Sequence, residues 1–109
     1  MDDRELLELA AKAAGIDERR LPDAWPNRFD DDQWNPLTDD GDALRLAVKL
    51  GMEVWVDTHP DGCECTEAQS ITYSTPDNAC RSIVNHNNDP YAATRRAIVI
   101  AAAEIGASL

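Results

Sequence analysis

Polar and apolar positions along the chain fall into three helical stretches and one sharply alternating strand. In the first stretch Leu6, Leu9 or Ala10, and Ala13 recur at three-to-four spacing, while Arg4, Glu5, Glu8 and Lys12 fall elsewhere on the wheel. That spacing predicts an amphipathic helix over residues 3–14 that buries one narrow stripe. Asp2 and Asp3 sit where negative charge favours a helix start, and Gly15 is placed to close it. A second helix follows the capping oxygens of Thr38, Asp39 and Asp40, with Asp42 adding negative charge in its first turn. Its expected buried face is Ala43, Leu44, Ala47, Val48 and Leu50, opposite an exposed Asp42, Arg45 and Lys49, and Gly51 ends it.

Residues 52–58 then alternate. Met52, Val54 and Val56 face one way and Glu53, Trp55 and Asp57 the other, which predicts a half-buried strand. His59-Pro60-Asp61-Gly62 has proline and glycine where a reversing turn needs them. A return strand is expected within residues 63–74, with Ile71 and Tyr73 on one face. Pro76-Asp77-Asn78 reads as another turn, and residues 80–85 as a short third strand around Ile83 and Val84. The three strands make an antiparallel meander.

The last helix opens with Asp89 as cap and Pro90 at its first position, runs to about Ile105 and is expected to end at Gly106. Every residue from 97 to 103 is apolar, so this helix needs cover on more than one side. The sheet can supply one cover, and another helix or a second copy of the chain the other. Residues 16–36 form a long loop segment carrying three prolines, Trp25, Trp34 and Asp30-Asp31-Asp32. Loops of that length are uncommon inside a compact domain, so either the tryptophans pin it to the core or it folds against a partner.

The 109 residues are enough for one domain, 1–109, with one compact core. The element order makes it an α+β fold, three helices with a short three-stranded meander. Twenty-one acids against ten bases give a net charge of −11, which repels a phosphate backbone and argues against nucleic acid as a partner. No apolar run approaches the roughly 20 residues of a membrane span. The opening Met1-Asp2-Asp3-Arg4-Glu5 is acidic where a secretory leader is basic. A cytoplasmic setting is expected, and three cysteines there argue against a disulfide framework.

Two clusters could carry chemistry. His59, Cys63, Cys65, Cys80 and His86 supply the thiolates and imidazoles that bind zinc, and a hairpin could gather them. Structural zinc sites space cysteines by two to four residues, however, and Cys63 and Cys65 have only one between them. Simple packing of the cysteines is the preferred reading, and no cofactor is expected. A calcium loop placed with Gly62 at its glycine position puts Ala68 where the closing glutamate belongs, so an EF-hand is rejected. The carboxylates of Asp30, Asp31, Asp32, Asp39, Asp40 and Asp42 read as solvated surface. Neither a nucleophile elbow nor a glycine-rich phosphate loop is present, so no catalytic residues are assigned and no enzyme is expected. The second cluster is aromatic. Trp25, Trp34 and Trp55 are candidate interaction anchors. Trp55 is core if the sheet is covered on both faces and an exposed anchor if it is not.

Three stretches carry a family resemblance. The run from Trp34-Asn35-Pro36-Leu37-Thr38-Asp39-Asp40-Gly41-Asp42 through Ala43-Leu44-Arg45-Leu46-Ala47-Val48-Lys49-Leu50 resembles the signature of the phage ABA sandwich domain, a group of small phage and prophage proteins. Residues 89–106, with Ala-Thr-Arg-Arg-Ala-Ile-Val and Ala-Ala-Ala-Glu-Ile-Gly, look like that family's closing helix, and the opening Arg-Glu-Leu-Leu-Glu-Leu-Ala-Ala-Lys-Ala-Ala-Gly-Ile also fits. Together these cover roughly half the chain. The cysteines lie in the middle, about residues 52–88, where members of the family vary. The resemblance implies a layered α/β/α arrangement and a phage or prophage origin, and it implies no activity. Small size, acidity and the greasy last helix lead to one expectation: a non-enzymatic accessory protein of the host cytoplasm that binds copies of itself and a host or phage protein. The alternative is a small-ligand or zinc-binding domain using His59, Cys63, Cys65, Cys80 and His86.

Overall fold

A computed structural model describes residues 2–17, 20–21, 33–70 and 81–109. The chain runs α1 (Asp3–Ala14), α2 (Asp40–Lys49), β1 (Met52–Thr58), β2 (Glu64–Ser70), β3 (Arg81–Asn85) and α3 (Pro90–Ala107). The strands form one antiparallel sheet in the order β1-β2-β3, and α3 and α2 pack on it, giving an α+β fold. Ile71 and Tyr73, expected on the return strand, lie outside the described residues.

Each helix starts where an acidic side chain can satisfy amide groups that have no intrahelical acceptor. The Asp2 carboxylate accepts from the amide of Glu5 at 2.8 Å, and that of Asp39 from the amide of Asp42 at 2.8 Å. Asp89 accepts from the amides of both Tyr91 and Ala92, and Pro90, which has no amide hydrogen to orphan, follows it. Gly15 closes α1 at φ 72°, the left-handed conformation that costs glycine least. Replacing Asp89 by alanine should remove about 1 kcal/mol and lower the thermal midpoint by roughly 4–8 °C, read by circular dichroism, whereas asparagine should retain most of the cap.

The all-apolar stretch of α3 is covered within the chain. The sheet lies on one side: Thr66 Oγ1 meets Thr94 Oγ1 at 2.8 Å, and the Ser82 hydroxyl donates to the Ala97 carbonyl. Helix α1 packs along α3 on another side, tied at one end by Arg96 Nη1 donating to Asp3 Oδ1 at 2.8 Å. Of the two covers expected for this helix, another helix is the one found. Ala97, Val99, Ala101 and Ala102 are fully enclosed as a result.

The last helix does not end at Gly106. It continues to Ala107 with Ser108 as cap, and Gly106 is a buried contact against the backbone of Leu9 in α1. A side chain there would overlap the Leu9 carbonyl, so the glycine permits close helix approach and does not serve as a stop.

The expected burial of α2 also needs correction. Its buried residues are Asp42, Ala43, Leu46 and Ala47, followed by Leu50 in the cap, while Leu44 and Val48 are 64% and 73% exposed. The helix carries two apolar stripes about 100° apart, and α3 covers only the one through positions 43, 46, 47 and 50. Asp42 is buried because it serves the preceding loop, accepting from the Asn35 amide at 3.0 Å as well as from Arg45 Nη2 at 2.7 Å.

Candidate binding surface

Strand β1 has the boundaries and alternation read from the sequence, yet its apolar side chains are poorly covered. Val54 is 37% exposed and Val56 63% exposed. β1 is the edge of the sheet, and among the described residues no strand lies beyond it. Val54 faces α2 and α3 across a cleft of about 270 Å³, lined by Ala43, Leu44, Ala47, Tyr91 and Ile98 among others. The exposed Leu44 of α2, Val54 of β1 and the exposed Tyr91 ring therefore border one apolar cleft, and Val48 and Val56 are exposed on the same two elements.

Polar groups around this surface are already engaged. Arg95 Nη1 donates to Asp40 Oδ1 at 2.6 Å and Arg95 Nε to the Leu37 carbonyl at 2.9 Å, fixing the start of α2 to α3. Ion pairing at such a rim is weak in water, so the geometry of the rim matters more than its energy.

The tryptophans occupy different environments. Trp34 is buried in the core, with its amide donating to the Arg20 carbonyl at 2.7 Å, so its ring offers no surface to a partner. Trp55 is half-buried on the sheet face away from the helices, and its indole N–H donates to Glu67 across the strand pair at 3.1 Å. Trp25 lies outside the described residues.

The sheet divides the cysteine and histidine cluster. On the face away from α3, His59 Nε2 lies 3.2 Å from Cys65 Sγ. Burial first, then the nearby Glu67 and Asp57 charges, push the Cys65 thiol up. Cys63 is exposed, and its amide donates to Asp61 Oδ1 at 3.0 Å. That bond chiefly holds the Asp61 carboxyl below the usual carboxylate range. His86 lies on the helix-facing side, with Nε2 2.7 Å from Thr66 Oγ1 and Nδ1 3.6 Å from Glu64. Two of the candidate ligands thus meet, His86 stands apart from them, and Cys80 lies outside the described residues. Among the described residues no three histidine, cysteine or acidic side chains converge on a point that could hold a metal ion.

Compared with models of protein families, with curated proteins and with solved structures, the chain matches none. Among the described residues no helix is long and apolar enough to cross a membrane. The feature that sequence reasoning missed is the exposure of Leu44, Val48, Val54 and Val56, with the cleft between Leu44 and Val54. Its signal is the i,i+4 pair Leu44 and Val48, which forms a second stripe of α2 distinct from the one through Ala43 and Ala47.

Proposed function

We propose that this chain is a non-enzymatic protein-binding module of phage or prophage origin, acting in the host cytoplasm by self-association and by engaging a host or phage protein. The observation that carries this reading is the apolar cleft bordered by the exposed Leu44, Val54 and Tyr91, with the exposed Val48 and Val56 on the same two elements, on a chain of net charge −11. Folded proteins rarely leave large contiguous apolar patches open to water unless a partner covers them. The charge keeps the chain soluble as a free species, and the patch supplies the favourable burial on contact. Resemblance of residues 34–50 and 89–106 to the phage ABA sandwich domain supports the phage origin.

The test is a double substitution, Leu44→Asp with Val48→Asp. Both side chains are largely exposed, so the variant should keep its circular dichroism spectrum and thermal midpoint. It should lose proteins that the unaltered chain retains from a host lysate, because two carboxylates would have to be buried in the contact without partners. Retention of every such protein by the folded variant would exclude this surface as the contact face.

A further inference from the structure

Building on the binding face proposed above, we infer that one occupant of it is a second copy of this chain, joined edge to edge through β1 into a continuous six-stranded sheet. The backbone supplies the first argument. The His59 amide donates to the Cys63 carbonyl at 2.9 Å, so odd-numbered residues of β1 point their amide and carbonyl groups at β2. Those of Met52, Val54, Val56 and Thr58 then point outward, since the two sides of a strand alternate. The Thr58 amide is satisfied locally by Asp57 Oδ1 at 2.9 Å. Among the described residues, Met52, Val54 and Val56 are left with an open ladder. Exposed edge ladders are templates for another strand unless charge, proline, a bulge or a covering segment blunts them.

The second argument is register. Antiparallel self-pairing must set even residues opposite even residues. Centring the two-fold axis on the middle of the strand, Trp55, would place Glu53 opposite Asp57 twice, which like charges oppose. It would also need the Thr58 amide that Asp57 already holds. Centring it on Val54 avoids both. Val54 then pairs with its own copy and Met52 with Val56, which uses the three open residues and forms about six backbone hydrogen bonds. Glu53 falls opposite Trp55, and Asp57 opposite Gly51.

The third argument is the side chains. A two-fold axis perpendicular to the sheet keeps the helix-bearing faces on the same side, so Val54 meets Val54 and Leu44 of each copy, across the cleft from Val54, lies beside the join. An isologous contact needs a surface complementary to itself, and an apolar ridge beside an open ladder meets that condition. A standard interface takes about 800 Å² from each partner, about an eighth of the 6743 Å² surface of this chain. The join must therefore draw on the Leu44 side of α2 as well as on the seven-residue edge strand.

Two variants test this. Val56→Pro removes one outward amide without touching the β1–β2 ladder, and Val56→Lys places a charge on the edge. Light scattering after size exclusion should give 24 kDa for the unaltered chain of 12.0 kDa. Each variant should raise the dissociation constant at least about tenfold, with unchanged circular dichroism. Hydrogen exchange adds a readout that does not depend on the variants: the amides of Val54 and Val56 should be protected in the concentrated protein and lose protection on dilution. A monomer at about 100 µM, or a dimer that keeps its mass in both variants, would overturn the inference. A monomer whose lysate partners still depend on Leu44 and Val48 would leave the protein-binding reading standing. A monomer that retains no such partner would end both.

Discussion

Replacing Gly106 by alanine should destabilise the fold by about 3 kcal/mol or more and lower the thermal midpoint by roughly 10–20 °C. The substitution improves helix propensity by about 1 kcal/mol, because glycine is the weaker helix former in a helix interior. Sterics outweigh that gain. A methyl group at position 106 would overlap the carbonyl oxygen of Leu9 and crowd its Cα at 3.2 Å. The obstacle is backbone in the middle of α1, which has no rotamer to change. Relief requires α1 to move away from α3, which opens the enclosed Ala10, Ala11, Ala101 and Ala102 contacts along the pair. Small residues bury little area each, so such a helix pair depends on close approach, and dispersion falls steeply once a gap opens. Calorimetry or thermal circular dichroism checks the sign as well as the size. A midpoint at or above that of the unaltered chain would show that the helix pair tolerates the separation and that propensity decides the outcome.

Gly106 also shows what sequence patterns convey and what they do not. As a glycine near the end of an apolar helix it reads as a stop, because a local rule sees only the local role. Its actual role is set by a residue 97 positions away. Caps behave differently. Asp2, Asp39, Asp89 and Gly15 act on amides and carbonyls within one turn, so their positions were readable and their geometry agrees. β1 was legible from strict alternation. β2, with the sequence Glu-Cys-Thr-Glu-Ala-Gln-Ser, has almost no apolar signal, and its place follows from the Gly62 turn and from pairing on both sides. Short side chains such as Thr66, Ala68 and Ser70 are buried there because α3 lies close. The candidate surface was hidden for a related reason. Helical periodicity shows that Leu44 and Val48 share a stripe, but which of two stripes is covered depends on where a helix 50 residues later crosses.

The buried Asp42 carries the other large expectation. Asp42→Ala should cost about 2–3 kcal/mol in urea unfolding, in the range of a charge-assisted hydrogen bond lost from a partly buried site. The carboxylate accepts from the Asn35 amide with one oxygen and from Arg45 with the other. It also sits in the first turn of α2, where negative charge opposes the helix dipole favourably. These contributions can be separated. Arg45 is 72% exposed, so its ion pair is screened by water and Arg45→Ala should cost no more than about 0.5 kcal/mol. Asparagine at position 42 keeps an acceptor for the Asn35 amide while giving up the charge, and should lose about 1 kcal/mol. The expected order is therefore alanine worst, asparagine intermediate, and Arg45→Ala near neutral. That order follows if Asp42 acts mainly by holding the turn at residues 35–38 against α2. The turn is held from the other side too, because the Leu37 carbonyl accepts from Arg95 in α3. Loss of the Asp42 bond should then loosen the α2–α3 contact and the cleft beside it. A cost for Arg45→Ala equal to that of Asp42→Ala would assign the stability to the ion pair and leave the turn a passive neighbour.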